Sequence, residues 1–362
     1  MRLFFCSHCR APVYFENLHC LRCRYRLSYQ PETTEMVTLE SSAQATTESD
    51  AKTDLAWRDG WRSCANRLTA ASCNWLVGPQ EKGSLCRACV LTEVYPDQAD
   101  PDNQQAWRLA EQAKKRWLYT IFGLGLQATP KSEDNPDGVL FQILQPDAEP
   151  TPVLTGHQDG LITINAAESD PVEREARRSE LDEPYRTLLG HFRHESGHYY
   201  WQLLIEKHAS RLAAFRALFG DERADYGEAL KRHYKAGAPE HWEQSFISSY
   251  AASHPWEDFA ETWAHYLHMA EALDVAQSWQ VGFPAYPEAE VRAFADQAEE
   301  SSGFREMLAR WLPLSLFANS LNRSLGHNDA YPFAPSEVVI EKLAWVHELV
   351  GAARNWREPS QP

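Results

Sequence analysis

The segment His194-Glu195-Ser196-Gly197-His198 carries the residue types most able to do chemistry. On a helix, histidines four residues apart lie one turn above each other, about 40° apart around the axis. Both imidazoles can therefore grip one metal ion. Glu195 follows the first histidine on nearly the same face, where it can hold a metal-bound water and take its proton. Gly197 removes a side chain where substrate or another strand could approach the helix. His191 lies on the same side one turn earlier and is read as packing or hydrogen-bonding near the site.

A hydrolytic zinc needs three protein ligands and one open position. Downstream lies Ser253-His254-Pro255-Trp256-Glu257-Asp258-Phe259-Ala260-Glu261-Thr262-Trp263-Ala264-His265. Glu257 and Glu261 are four apart on one helix face. One can bind zinc while the other accepts a hydrogen bond from a ligand imidazole. We read Glu257 as the ligand and Glu261 behind it; the reverse order uses the same residue types. The aromatic Trp256, Phe259 and Trp263 bury this segment, which argues against solvated surface carboxylates.

The eight cysteines fall into two groups of four. Cys6, Cys9, Cys20 and Cys23 form two CxxC knuckles, enough for a closed tetrahedral zinc shell on a short hairpin. Cys64, Cys73, Cys86 and Cys89 supply a second set, of which only Cys86 and Cys89 form a knuckle. Both zincs are expected to be structural, giving one catalytic and two structural ions. Arg2, Arg10, Arg22, Arg24 and Arg26 against Glu16 suggest that the ribbon offers a docking face to a protein partner.

The elements that must position these groups are mostly helical. Apolar spacing predicts a helix over 104–126, strands over 138–144 and 161–165, and a long helix over about 182–208 opened by Pro184. A further helix starts at the Ser253-His254-Pro255 signal and reaches about Ala272. The expected division is a zinc ribbon over 1–30, a flexible linker over 31–54, a second four-cysteine module over 55–100 and the main domain over 101–362. The polar run Asn319–Asp329 is read as a solvated loop. The fold class is α+β, mainly helical.

A formal net charge of −16 disfavours nucleic acid as the main partner, because phosphate binding needs a basic field. No run of roughly 20 apolar residues suits a membrane helix. The start is too soon polar for an export signal, so a cytoplasmic location is expected, where paired cysteines favour metals over disulfides.

HExxH followed by a Glu-x-x-x-Glu helix resembles the gluzincin clan of zinc peptidases. More closely, residues 73–77, 160–165, 188–201 and 254–261 resemble bacterial zinc-binding metallopeptidases that carry an N-terminal zinc ribbon. The resemblance implies a zincin-like domain, a peptide or protein substrate, and zinc bound by His194, His198 and the first carboxylate, Glu257. It also implies a tyrosine about two turns before that glutamate, a place held by Tyr250, as donor to the oxyanion. Tyr199 and Tyr200 are alternatives read as core or cleft wall. The clan binds extended peptides along an edge strand, and residues 161–165 could be that strand. The rival reading is a non-catalytic zinc-binding interaction or regulatory factor; the presence of Glu195 argues against it, since a purely structural zinc needs no base.

Overall fold

The computed structural model describes residues 1–38, 58–146, 153–181, 183–283 and 302–354. The chain divides into two compact units, one of Met1–Tyr119, Ala128–Arg177 and Thr187–Leu189, the other of Thr120–Gln127, Arg178–Arg186 and Gly190–Pro362.

In the first unit the ribbon hairpin pairs β1 (Phe4–Phe5) with β2 (Pro12–Val13), and β3 (Leu27–Gln30) with β4 (Glu35–Thr38). β4 lies inside the expected linker. Thr34 takes a left-handed turn with φ 54°, and Met36 is buried, so the chain pairs back on itself before residue 39. The rest of that linker, 39–54, lies outside the described residues. β5 (Arg62–Ser63) pairs with β6 (Leu76–Val77) in the second cysteine module.

Ribbon, second module and the helix α1 (Pro101–Gly123) share one aromatic core. Ring centroids of Phe15 and Tyr29 lie 4.8 Å apart, Tyr29 and Trp75 5.0 Å, and Phe15 and Tyr119 5.6 Å. The Arg67 guanidinium donates to the Leu18 and Leu27 carbonyls and to Ser28 Oγ, each at 3.1 Å. The ribbon is therefore packed onto the second module, not merely tethered to it. Beside them, β7 (Thr92–Val94), β8 (Leu140–Leu144), β9 (Gly156–Gln158) and β10 (Leu161–Asn165) form a sheet in the order β7-β8-β10-β9. β10 is interior, parallel to β8 along Leu161–Asn165 and antiparallel to β9 over residues 161–163, so it is flanked on both sides. That corrects the expectation of an edge strand at 161–165. The alternation Leu161-Ile162-Thr163-Ile164 buries both isoleucines on the packed face of the strand.

The second unit is helical over its described residues. After α2 (Pro171–Glu180), the motif helix α3 (Leu188–Trp201) continues into one π-turn, Gln202–Glu206. α3 begins later than expected. Pro184 keeps Glu183 out of helical geometry, and Glu183 instead closes a turn, its amide donating to the Arg178 carbonyl at 3.0 Å. α4 (Ala209–Phe219) and α5 (Tyr226–Ala236) follow.

The centre is α6 (Pro255–Ser278), which buries Phe259, Trp263, Tyr266, Leu267 and Met269 together with Glu257, Asp258 and His265. Its start is the predicted one: Pro255 opens the helix, and His254 Nδ1 accepts from the Trp256 amide at 3.1 Å. It runs past Ala272 because Leu273 and Ala276 are still buried. α7 (Ser302–Ser324) and α8 (Glu337–Arg354) pack on α6. α7 absorbs residues 319–324 of the segment read as a loop. No described helix is long and apolar enough to cross a membrane.

Candidate metal centre

α3 and α6 cross where Gly197 meets Ala260. A Cβ on Gly197 would stand 2.7 Å from Ala260 Cα, so only glycine admits this approach. The close partner is thus a helix, where the sequence suggested substrate or a strand. The Trp263 indole donates to Ser196 Oγ at 3.1 Å and that hydroxyl to the Arg193 carbonyl at 2.7 Å, fixing the crossing.

The crossing sets the two histidines against the two glutamates. His194 Nε2 lies 3.0 Å from Glu257 Oε2, and His198 Nε2 lies 3.5 Å from Glu257 Oε1. His194 Nδ1 lies 2.6 Å from Glu261 Oε1, and Glu261 Oε2 accepts from Ser248 Oγ at 2.7 Å. A carboxylate at Nδ1 selects the tautomer with its proton there, which leaves the Nε2 lone pair free for a metal.

His194, His198 and Glu257 offer ligand atoms within 4.8 Å of one another; Glu261 is not of that group. Tetrahedral zinc with bonds of about 2.0–2.1 Å holds its ligand atoms roughly 3.3 Å apart. His194 Nε2 stands 3.0 Å from Glu257 Oε2, close to that value, and His198 Nε2 is 3.5 Å from the other carboxylate oxygen, so the donor set suits zinc in its chemistry and brings its atoms near enough to share one ion. Two neighbouring residues of ligand type are engaged elsewhere: Asp258 pairs with Lys342 at 2.6 Å, and His265 Nδ1 lies 2.8 Å from the Tyr331 hydroxyl. His191 is also outside the group.

Glu195 is only 6 % exposed. Burial pushes its carboxyl above the usual range, with His194 and His198 pulling the other way. Tyr250 stands at the start of the turn Ala251–Ser253, its ring 5.9 Å from that of His194. Burial and the Glu257 carboxylate hold its phenol well above its ordinary value, so it keeps its proton and can donate. Tyr200 stacks on Trp263 at 4.8 Å and donates to the Gln127 carbonyl, and Tyr199 is buried against it; both are core. The sequence reading missed Ser248, which steadies Glu261, and Tyr226, whose hydroxyl donates to Glu257 Oε1 at 2.7 Å. No local pattern marks either, since each acts across a tertiary contact.

The two cysteine groups also assemble. Cys6 and Cys23 sulfurs lie 3.7 Å apart, Cys9 and Cys20 3.6 Å, and Cys73 and Cys86 3.6 Å. A disulfide needs about 2.05 Å, whereas four zinc–sulfur bonds of about 2.3 Å in a tetrahedron separate sulfurs by roughly 3.8 Å. Cys64 and Cys89 complete the second group. Beside it Lys115 is buried; burial works against its charge, but Cys73, Cys89 and Glu111 outweigh that and favour the cation.

The three clusters of potential ligands are those of a metal-binding protein. Residues 103–349 match the family described as "Putative zinc-binding metallo-peptidase", and residues 3–100 match a zinc-ribbon domain. The chain belongs to this zinc-binding metallopeptidase family and carries an N-terminal zinc ribbon. It is similar to an uncharacterized protein of Mycobacterium bovis and to uncharacterized proteins of Mycobacterium tuberculosis strains CDC 1551 and H37Rv. Each is 42% identical over 360 residues, covering 99% of this chain and 98% of the relative. No solved structure matches the chain.

Proposed function

We propose that the chain is a zinc-dependent peptidase with His194, His198 and Glu257 as ligands, Glu195 as general base and zinc also in both four-cysteine shells. Zinc held by His194, His198 and Glu257 would lower the pKa of a bound water and polarise the scissile carbonyl. Glu195 accepts the proton of the attacking water and hands it to the leaving amine nitrogen, so the C–N bond breaks with no net proton change. Glu261 holds His194 in the tautomer that presents Nε2. Tyr250 donates to the oxyanion of the tetrahedral intermediate. We place this chemistry in the reducing cytoplasm, which suits eight unpaired thiols.

The observation that carries the reading is Glu195 itself: a buried carboxyl between two ligand histidines, on the same helix, in a centre whose ligand count is complete without it. Glu195→Gln keeps the shape and cannot take a proton. It should retain zinc and fold yet lose at least ~10²-fold in activity, the low end of what a positioned base contributes. A denatured protein mixture read by mass spectrometry for new termini supplies the assay without guessing specificity. Equal cleavage by both proteins would place the activity elsewhere. If the wild type cleaves nothing, the non-catalytic reading replaces this one.

A further inference from the structure

The centre receives one hydroxyl from an element that contains none of the motifs. Asp225 caps α5, its side chain accepting from the Glu228 amide at 2.9 Å, which makes Tyr226 the first helical residue. The Tyr226 ring lies edge-on to His254, with centroids 5.2 Å apart at 83°, and 6.0 Å from Trp256. His254 ties these elements together. Its Nδ1 caps α6, and its Nε2 donates to the Ala224 carbonyl at 3.1 Å, two residues before Tyr226. The start of α5 is thereby pinned to the start of α6, with the phenol over the first turn that holds Glu257.

The phenol donates to Glu257 Oε1 at 2.7 Å, while Oε2 is the oxygen 3.0 Å from His194 Nε2. A carboxylate offers a metal either one oxygen or both. Here one oxygen already has a hydrogen-bond partner, fixed by two packed rings and a capped helix.

We propose that Tyr226 is a positioning residue that restricts Glu257 to one metal–oxygen bond and so keeps the fourth position of the zinc open for water and substrate. The proposal rests on the reading of Glu257 as a ligand. Without the hydroxyl, Oε1, which lies 3.5 Å from His198 Nε2, would be free to join Oε2 on a bound metal and would take the place that water needs. Tyr226 acts through Glu257, so its effect must show in the metal's coordination as well as in turnover.

The test uses the full chain and its Tyr226→Phe variant, which keeps the ring and its packing. The histidine site is emptied with a chelator that leaves the four-cysteine zincs in place, then loaded with one equivalent of cobalt(II). Four-coordinate cobalt absorbs visible light more strongly than five-coordinate cobalt. The expected result is a several-fold fall in the visible bands in Tyr226→Phe, with the far-ultraviolet circular dichroism unchanged. Zinc affinity, measured by competition, should change by roughly 10–100-fold, the usual scale for a residue that orients a ligand. Identical spectra and affinities in the two proteins would overturn the proposal. Glu257→Ala, run in parallel, separates the two readings. If that variant still takes up cobalt at full affinity, the ligand assignment falls; if it does not and Tyr226→Phe is silent, only the role of Tyr226 falls.

Discussion

Gly197→Ala is the sharpest perturbation the structure offers, because two rules predict opposite signs. In an exposed helix, replacing glycine by alanine stabilises by about 1 kcal/mol, since glycine loses the most backbone freedom on folding. At this position the new Cβ would lie 2.7 Å from Ala260 Cα, 3.2 Å from Ala260 Cβ and 3.3 Å from the Ala260 carbonyl oxygen. Carbon atoms rest at about 3.5–4.0 Å, so α3 and α6 must part by about 1 Å. Overpacking of this kind costs about 1–3 kcal/mol.

The same movement reaches the metal centre directly. His194 and His198 flank Gly197, and Glu257 and Glu261 flank Ala260. A zinc site tolerates about 0.2 Å in its ligand distances, several times less than the required shift. We expect Gly197→Ala to lose about 1–3 kcal/mol of stability by urea unfolding. It should also lose zinc bound at the histidine site on dialysis against a competing chelator, while zinc bound at the four-cysteine sites should stay. Adding Ala260→Gly should not restore binding. It removes the 3.2 Å contact but leaves the closer one, which is to backbone. A Gly197→Ala protein as stable as the wild type and holding all its zinc would refute the argument. Full rescue by Ala260→Gly would show that side chains, not the backbone, set the approach.

Two further outcomes follow from the same geometry. Glu257→Ala should abolish zinc at the histidine site, whereas Glu261→Ala should weaken it by roughly 10–100-fold, both read by competition with a chromophoric chelator; swapped effects would reverse the two roles. His265, 4 % exposed, is held down to about 4 chiefly by burial. The unfolded chain binds that proton at a pKa of about 6.5 and the folded one does not, so its share of stability is full above the unfolded value. That share is lost as pH falls through the folded value, at about 1.4 kcal/mol per unit between them. Unfolding at pH 6.5 and pH 5 should therefore differ by about 2 kcal/mol more in the wild type than in His265→Gln; parallel profiles would dismiss the effect.

The centre was legible where its parts are close in sequence. His194 and His198 are one turn apart, Glu257 and Glu261 likewise, and each CxxC knuckle brings two thiols together by itself. Facing the two pairs required only that each helix be buried on the side that carries them. What sequence could not supply was the contact between distant segments. Gly197 announced a close approach but not its partner, Ala260. Tyr226 stands 31 residues from the oxygen it donates to, and no period links them. Ser248 reaches Glu261 from an irregular stretch whose path only the assembled fold sets. The strand at 161–165 showed its alternation plainly, yet edge and interior strands alternate alike; only the neighbours β8 and β9 decide between them. Helix limits erred for the same reason. Pro184 reads equally well as a helix opener or as a turn residue, and the Arg178 carbonyl that captures the Glu183 amide settles which it is.

One feature of α6 has no explanation in stability alone. Glu257, Asp258 and Glu261 lie within five residues of a buried helix, with Glu257 and Asp258 at most 1 % exposed. Burying a charge is costly, and even a well-made buried ion pair rarely outperforms packed apolar side chains. Each carboxylate has a separate answer to that cost. Asp258 has the Lys342 ammonium, Glu261 has His194 Nδ1 and the Ser248 hydroxyl, and Glu257 has two imidazoles and the Tyr226 phenol. A helix selected only to fill a core would carry leucine or phenylalanine at these places, as it does at Phe259 and Leu267. Three acids, each held by a different set of partners, with Glu257 facing both histidines and Glu261 facing His194 alone, suit the proposed role of this helix, which is to hold a divalent cation on its inner face.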